Sequence, residues 1–251
     1  MSATLLDLLE AREGLVCAVG AGGKKTTLYR LAAEHPGRVG LTATVLTPPF
    51  PSDLDADVIV AGPDEIEAAV RAAAASSRVV AFAHPSEKRA RLSGLAPERV
   101  FELHRAAGFE VTLVKADGAR ARWIKAPEAD EPAIPIGATT VIPVVSARAI
   151  GSPLTEEVAH RVERLAAVTG AEPGAQLTAE HVARLLADPE GGLKSVGDAT
   201  VVPVINMVDD PEKERAALEA AERALALTRR FDRIVLAAMR RPERALRIVE
   251  R

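Results

Sequence analysis

The sequence predicts an α/β fold, a mostly parallel β-sheet with helices on both faces, and two observations carry that prediction. Short apolar runs recur at 15–19, 39–43, 58–60, 78–83, 111–114, 140–145, 200–205 and 233–237. Most are continuous rather than alternating, the pattern of strands covered on both faces. Between them lie stretches of helical spacing at roughly 25–34, 64–75, 97–107, 153–168, 178–187 and 211–229. Strand alternating with helix is the signature of a parallel sheet.

Taken in order, the opening MSATLLDLLEAREG carries acids and no long apolar stretch. It predicts a short helix and no signal peptide. The alanine-rich 68–75 is a strong helix former. Gly170 and Pro173 close the helix before them, and Thr178 with Glu180 and His181 opens the next. Pro211 after Asp209-Asp210 marks a further start, with proline at the first helical position. The segment 117–138, with Pro127, Pro132 and Pro135, is the irregular one. A loop that follows a central strand is where α/β proteins hold ligands.

Composition narrows the function. Apolar residues form 48% of the 251 and aromatic residues 3%, so the core is built of Ala, Val, Leu and Ile. One domain over 1–251 is expected, since a large α/β sheet absorbs this length. So few rings exclude a stacking platform for single-stranded nucleic acid. The 32 basic and 35 acidic residues are mixed along the chain. No clustered basic face is available for a duplex, so nucleic acid is not an expected partner. Cys17 is the single cysteine, which excludes an intrachain disulfide and fits a reducing, cytoplasmic setting. With no apolar run of 18 residues or more, no membrane span is expected.

The first apolar run leads into Gly20, Ala21, Gly22, Gly23, Lys24, Lys25, Thr26 and Thr27, and a helical pattern follows. Strand, glycine loop, lysine, hydroxyl and helix form the layout of a triphosphate cradle, as in P-loop nucleoside triphosphatases. Glycines let backbone N–H groups close around phosphate oxygens, and the helix start adds partial positive charge. A lysine neutralises the β- and γ-phosphates, and a threonine hydroxyl ligates magnesium. Aligned on Lys25-Thr26, the motif has Lys24 where the second glycine belongs and Val19 where the first does. Either Lys24 or Lys25 is left as the phosphate lysine. The bland alternative is a glycine-rich turn with two solvated lysines. A dinucleotide fingerprint fits poorly, because residue 25 is lysine and no acid stands about twenty residues on.

The run 111–114 leads through Lys115 and Ala116 to Asp117. An aspartate at the carboxyl edge of the sheet suits a magnesium ion; a turn aspartate before Gly118 is the alternative. Beyond it, Lys125, Glu128, Asp130 and Glu131 are substrate contacts or a solvated charged loop. His160 reads as a helix-face residue, and adjacent helical residues diverge by about 100°, so His160 and Arg161 would not face one small ligand. Thr42 and Thr44 are placed by position as a nucleotide-sensing segment. Asn206-Met207-Val208-Asp209, after the run 200–205, is similar to the Asn-Lys-x-Asp guanine reader of GTP-binding proteins, with Met207 in place of lysine. The alternative is an Asp-Asp helix cap before Pro211.

GAGGKKTTLYRLA, KADGARARWIKAPEADEPAIP, HRVE, DPEGGLK and NMVD occur in that order. Together they resemble the YqeC family, accessory proteins of selenium-dependent molybdenum hydroxylases, from about residue 14 to 240. The resemblance implies a P-loop-like nucleotide-binding fold and a role in maturing a molybdenum hydroxylase or its cofactor. It points to Gly20, Gly22, Gly23, Lys24, Thr26 and Thr27, to Asp117 and Gly118, and to Lys125, Pro127, Glu131 and Pro132. It also points to His160, Arg161, Gly191, Gly192 and Asn206. Lys115 departs from the family's acid before Ala-Asp-Gly, Asp130 from its histidine before Glu-Pro, and Lys25 from the simpler GGKT loop.

The expected function is a cytoplasmic, slowly hydrolysing NTPase that serves a molybdenum hydroxylase or a cofactor-maturation protein, with ATP or GTP and Mg2+ as ligands. Gly20, Ala21, Gly22 and Gly23 cradle phosphates, Lys24 or Lys25 neutralises them, and Thr26 and Asp117 hold the metal. Lys25 and Asp117 are the candidate catalytic pair, and Asn206 and Asp209 the candidate base contacts. Two other classes fit the same cradle. One is a small-molecule kinase or nucleotidyl-transfer enzyme with its substrate on Lys125, Glu128, Glu131, His160 and Arg161. The other is a module that binds nucleotide without hydrolysis.

Overall fold

The computed structural model describes residues 3–241 and 246–251. In chain order its elements are α1 (Leu5–Leu8), β1 (Gly14–Gly20), α2 (Lys24–Glu34), β2 (Val39–Ala43), β3 (Asp57–Val60), α3 (Ile66–Ala74), β4 (Val79–Ala83), α4 (Pro97–Ala107), β5 (Val111–Lys115), β6 (Ile124–Lys125), β7 (Ala138–Ser146), β8 (Ala159–His160), α5 (Val162–Thr169), α6 (Ala179–Ala187), β9 (Thr200–Val201), β10 (Val204–Asn206), α7 (Pro211–Leu227), β11 (Arg233–Leu236) and β12 (Arg247–Glu250). A 3-10 turn, Ala147–Ala149, follows β7. The α/β class with mostly parallel strands is the one the sequence predicts.

Among the described residues, contacts divide the chain into two compact units. One draws on Met1–Ala18, Thr27–Gly118 and Ala133–Thr140, the other on Val19–Thr26, Ala119–Pro132 and Val141–Arg251. The units are interleaved, so no linear cut within 1–251 separates them.

In the first unit the strand order is β1-β5-β2-β4-β3, and every pair is parallel. β2 and β4 are buried along their whole length. Phe82 on β4 is fully buried and stacks on Phe109 with ring centroids 6.0 Å apart. Local chemistry fixes the helix ends. Thr4 and Asp7 form a reciprocal capping box at α1. Pro97 opens α4, and Gly108 closes it in the left-handed conformation.

In the second unit the order is β12-β11-β10-β7, with β9 also on β7; β11 and β12 are antiparallel, while β10 runs parallel to both β11 and β7. β6 and β8 form a separate parallel pair. The α7 helix buries a stripe of Ala217, Ala220, Ala221 and Ala224, which lets it lie close to its neighbours. Thr178 caps α6 with His181 in reciprocal hydrogen bonds.

Two expectations change. The run 200–205 is two strands, because Pro203 has no N–H for the ladder. The helix expected at 153–168 is α5, which starts at Val162. Leu154 donates instead to Ala175 (2.9 Å), and Trp123 donates to Val158 (2.9 Å). Pairing with distant segments holds 154–160 out of the helix that its apolar spacing favours.

Candidate functional site

Backbone geometry makes the turn after β1 a glycine turn. Gly22 has φ 87°, and a Cβ there would lie 2.5 Å from Ser146 N and 2.8 Å from Trp123 O. At Gly23, φ is 129° and a Cβ would run into the Asn206 amide. The supports come from far along the chain. Ala21 donates to Val144 O (2.8 Å) and Gly22 to Arg122 O (3.1 Å). Asn206 Nδ2 donates to Gly22 O (2.9 Å), and Asn206 Oδ1 accepts from Met239 N (3.0 Å). Asn206 is 3% exposed, so its amide is a buried strut beneath the turn.

Lys24 opens α2, is buried, and folds back so that its ammonium donates to Gly20 O. Lys25 and Thr26 are half-buried, and Thr27 is buried. Of the two lysines, Lys24 therefore covers the turn. The residue directly after it is Lys25, and the Thr26 hydroxyl comes one position later.

Asp117 follows β5 and is 1% exposed. Ala116 beside it donates to Ala18 O (3.1 Å) and accepts from Ala133 N (2.9 Å). The Thr42 and Thr44 hydroxyls donate to the backbone at Phe82 O and Ala133 O, each at 2.7 Å. Neither is thereby held out toward a ligand. Cys17 is fully buried in β1, and burial pushes its thiol up, which keeps it unreactive.

The charged residues after Asp117 meet one another. The Lys125 side chain is fully buried and reaches Glu131 Oε2 at 2.6 Å. Arg161 pairs with the same Glu131 oxygen and, through Nε, with Glu128 Oε1 at 3.1 Å. Burial alone raises the Glu131 carboxyl, but hydrogen bonds from Arg161 and Lys125 outweigh it and hold it at about 2, against an ordinary 4.5.

His160 is not on a helix. It lies in β8, paired in register with Lys125, and Arg161 follows in the left-handed conformation with φ 70°. The helical divergence expected for the two therefore does not apply. Arg120, Glu128, Glu156, His160, Arg161 and Arg164 border an open cleft of about 610 Å3. Burial, then the charges of Arg161, Lys125 and Arg120, lower the His160 pKa and leave a neutral imidazole near pH 7.

Past β10, Asp209 is not the helix cap. Asp210 takes that place, accepting from Lys213 N at 2.8 Å. Asp209 Oδ2 accepts from Arg148 Nη2 (2.6 Å) and Nε (3.2 Å). Met207 has φ 60°, and its sulfur accepts from Ser146 Oγ at 3.1 Å.

Sequence reasoning missed Trp123, Ser146, Arg148 and Met239. Ser146 ends a strand beside the glycine turn, which is a findable signal; the others carry none until the chain is folded. Among the described residues, no three His, Cys, Asp or Glu side chains gather to hold a metal ion, and no helix is long and apolar enough to cross a membrane.

The YqeC protein family model matches residues 16–163, which include the glycine turn, Asp117 and the Lys125–Glu131–Arg161 cluster. A relative from Escherichia coli (strain K12), described as uncharacterized protein YqeC, is 30% identical over 200 residues, covering 78% of this chain and 76% of the relative. The turn, the strand-end aspartate and the paired cluster are thus features of a chain that belongs to the YqeC family.

Proposed function

We propose that this chain binds a nucleoside triphosphate at the glycine turn and hydrolyses it slowly, as an accessory to the maturation of a selenium-dependent molybdenum hydroxylase or its cofactor. The observation that carries the reading is the turn itself. Left-handed glycines lead straight into the start of α2, and the buried Lys24 ammonium lies across them on Gly20 O. An anion at a helix start takes both backbone donors and partial charge, and a lysine completes the neutralisation.

In this reading Lys24 exchanges its contact with Gly20 O for phosphate oxygens. Gly20, Ala21, Gly22 and Gly23 shape the turn, and Lys25 adds a second cation. The Thr26 hydroxyl is an oxygen donor suited to Mg2+ and the Asp117 carboxylate is a separate candidate; Mg2+ would supply charge neutralisation on the phosphates. Asn206 braces the backbone of the turn, so in this reading the Lys24 side chain moves while the backbone keeps its path.

Calorimetry with ATP and GTP, with and without magnesium, tests the nucleotide. Saturable binding to the unmodified chain is expected, and its absence for both nucleotides overturns the reading. Co-purification of the tagged chain with a molybdenum hydroxylase, in cells that make one, tests the partner.

The cleft beside His160 favours a second reading, a small-molecule kinase or nucleotidyl-transfer enzyme. Its mixed lining of Arg120, His160, Arg161 and Glu128 suits a small polar substrate. Turnover that depends on an added small molecule, rather than on a protein partner, distinguishes the two.

A further inference from the structure

We propose that the base recognised is guanine, and that Arg148 occupies the guanine-reading carboxylate of Asp209 until the nucleotide displaces it. The proposal rests on the nucleotide reading above and adds the identity of the base and the residue that gates it.

Three observations meet at one place. Asn206 Nδ2 is bonded to Gly22 O and Oδ1 to Met239 N, so one amide ties the glycine turn to the segments after β10 and β11. Those segments run side by side, with Val208 N on Ala237 O at 3.0 Å. A nucleotide whose phosphates lie on the turn has these two segments among the surfaces tethered to it.

Second, Asp209 presents a carboxylate that is 22% exposed, on which Arg148 places two donors, Nε and Nη2. Adjacent N–H groups on one planar edge are also what guanine offers at N1–H and N2–H2. Adenine offers an acceptor nitrogen and a C–H at that edge, which a carboxylate repels. The side chain that now satisfies Asp209 is therefore a chemical stand-in for guanine.

Third, Ala238, in the segment after β11, is buried, and a backbone N–H in such a segment suits guanine, which carries an acceptor at O6, over adenine, which carries an amine there.

Arg148 is 48% exposed, on the 3-10 turn after β7. An exposed ion pair contributes about 0–1 kcal/mol, so the competition that Arg148 imposes is weak and a ligand can win it.

Competition binding with GTP, ATP and xanthosine triphosphate tests the proposal on the full chain, on Arg148→Ala and on Asp209→Asn. The unmodified chain should prefer GTP to ATP by about tenfold or more, since an unmatched polar edge costs about 1–3 kcal/mol. Arg148→Ala should tighten GTP by up to about fivefold, the ceiling set by an exposed ion pair, and leave ATP unchanged. Asp209→Asn should shift preference to xanthosine triphosphate, whose binding also shows that the variant is folded. Equal affinity for GTP and ATP in the unmodified chain and in Arg148→Ala overturns guanine reading and leaves the phosphate site standing. Failure of all three nucleotides to bind overturns both.

Discussion

The glycine turn and the Lys125–Glu131–Arg161 cluster sit in the same unit and are built on opposite principles. The turn is held by backbone carbonyls and by one neutral amide, that of Asn206, and the Lys24 ammonium donates to it at Gly20 O. The cluster is held by ionised groups, one of them fully buried. A site built from backbone keeps its shape when pH and salt change, and leaves charge available for a ligand. A site built from ion pairs is rigid only while its carboxylate is ionised. The comparison separates two ways of fixing a loop: the turn is tied through Ala21 and Gly22 N–H to the Val144 and Arg122 carbonyls, whereas the cluster carries its own counter-ions.

The largest expected effect breaks the cluster. Glu131→Gln removes the carboxylate from a buried lysine, and breaking such a pair costs about 3 kcal/mol or more; chemical denaturation measures it. The same residue sets an acid limb. Its folded pKa is depressed to about 2 from 4.5, so its contribution is complete above about 4.5 and is lost as pH falls toward 2. Denaturation midpoints recorded between pH 5 and 2 should fall more steeply in the unmodified chain than in Glu131→Gln. Equal slopes would mean that the ion pairs do not perturb Glu131.

The next effect strikes the turn. Gly22→Ala forces a left-handed alanine and sets a Cβ 2.5 Å from Ser146 N, at a cost of about 2 kcal/mol or more. Stability should drop, and nucleotide affinity should fall further than stability alone explains. Lys24→Ala should weaken triphosphate binding by about tenfold or more, near 1.4 kcal/mol, with little change in the denaturation midpoint. Lys25→Ala should weaken it less, and the reverse order would make Lys25 the phosphate lysine. The smallest effect expected is from Asp117→Asn, which should keep metal-free nucleotide binding and lose the few-fold gain from magnesium. An unchanged magnesium response would leave Asp117 as a buried turn residue.

The strands and the turn are legible in the sequence because their signals are local. Apolar runs mark β1, β2, β4, β5, β7 and β11 because each is buried over most of its length, whereas β3 has its run with Val58 and Val60 exposed. The two-residue strands β6 and β8 and the terminal β12 leave no such run. The helical spacing of Leu154, Val158, Val162 and Leu165 predicts a helix through His160, while the pairing of β8 with β6 depends on residues more than thirty positions away. The turn's glycines and lysines stand together in the chain; its struts, Arg122, Val144 and Asn206, do not. Composition also could not tell that Lys125, Glu131 and Arg161 turn toward one another, since a substrate-facing cluster and a self-paired one have the same residues.

The hydrogen bond from Asn206 to Gly22 joins positions 184 residues apart. At ribosomal speeds of about 5–20 residues per second, the glycines emerge roughly 10–40 s before the amide that braces them. A nascent chain stalled before Asn206 thus carries every residue of the GAGGKKTT motif and lacks the strut that fixes its curvature. If the proposed nucleotide site is correct, its assembly is a late event in biogenesis, and retention on an immobilised triphosphate should discriminate finished chains from arrested ones.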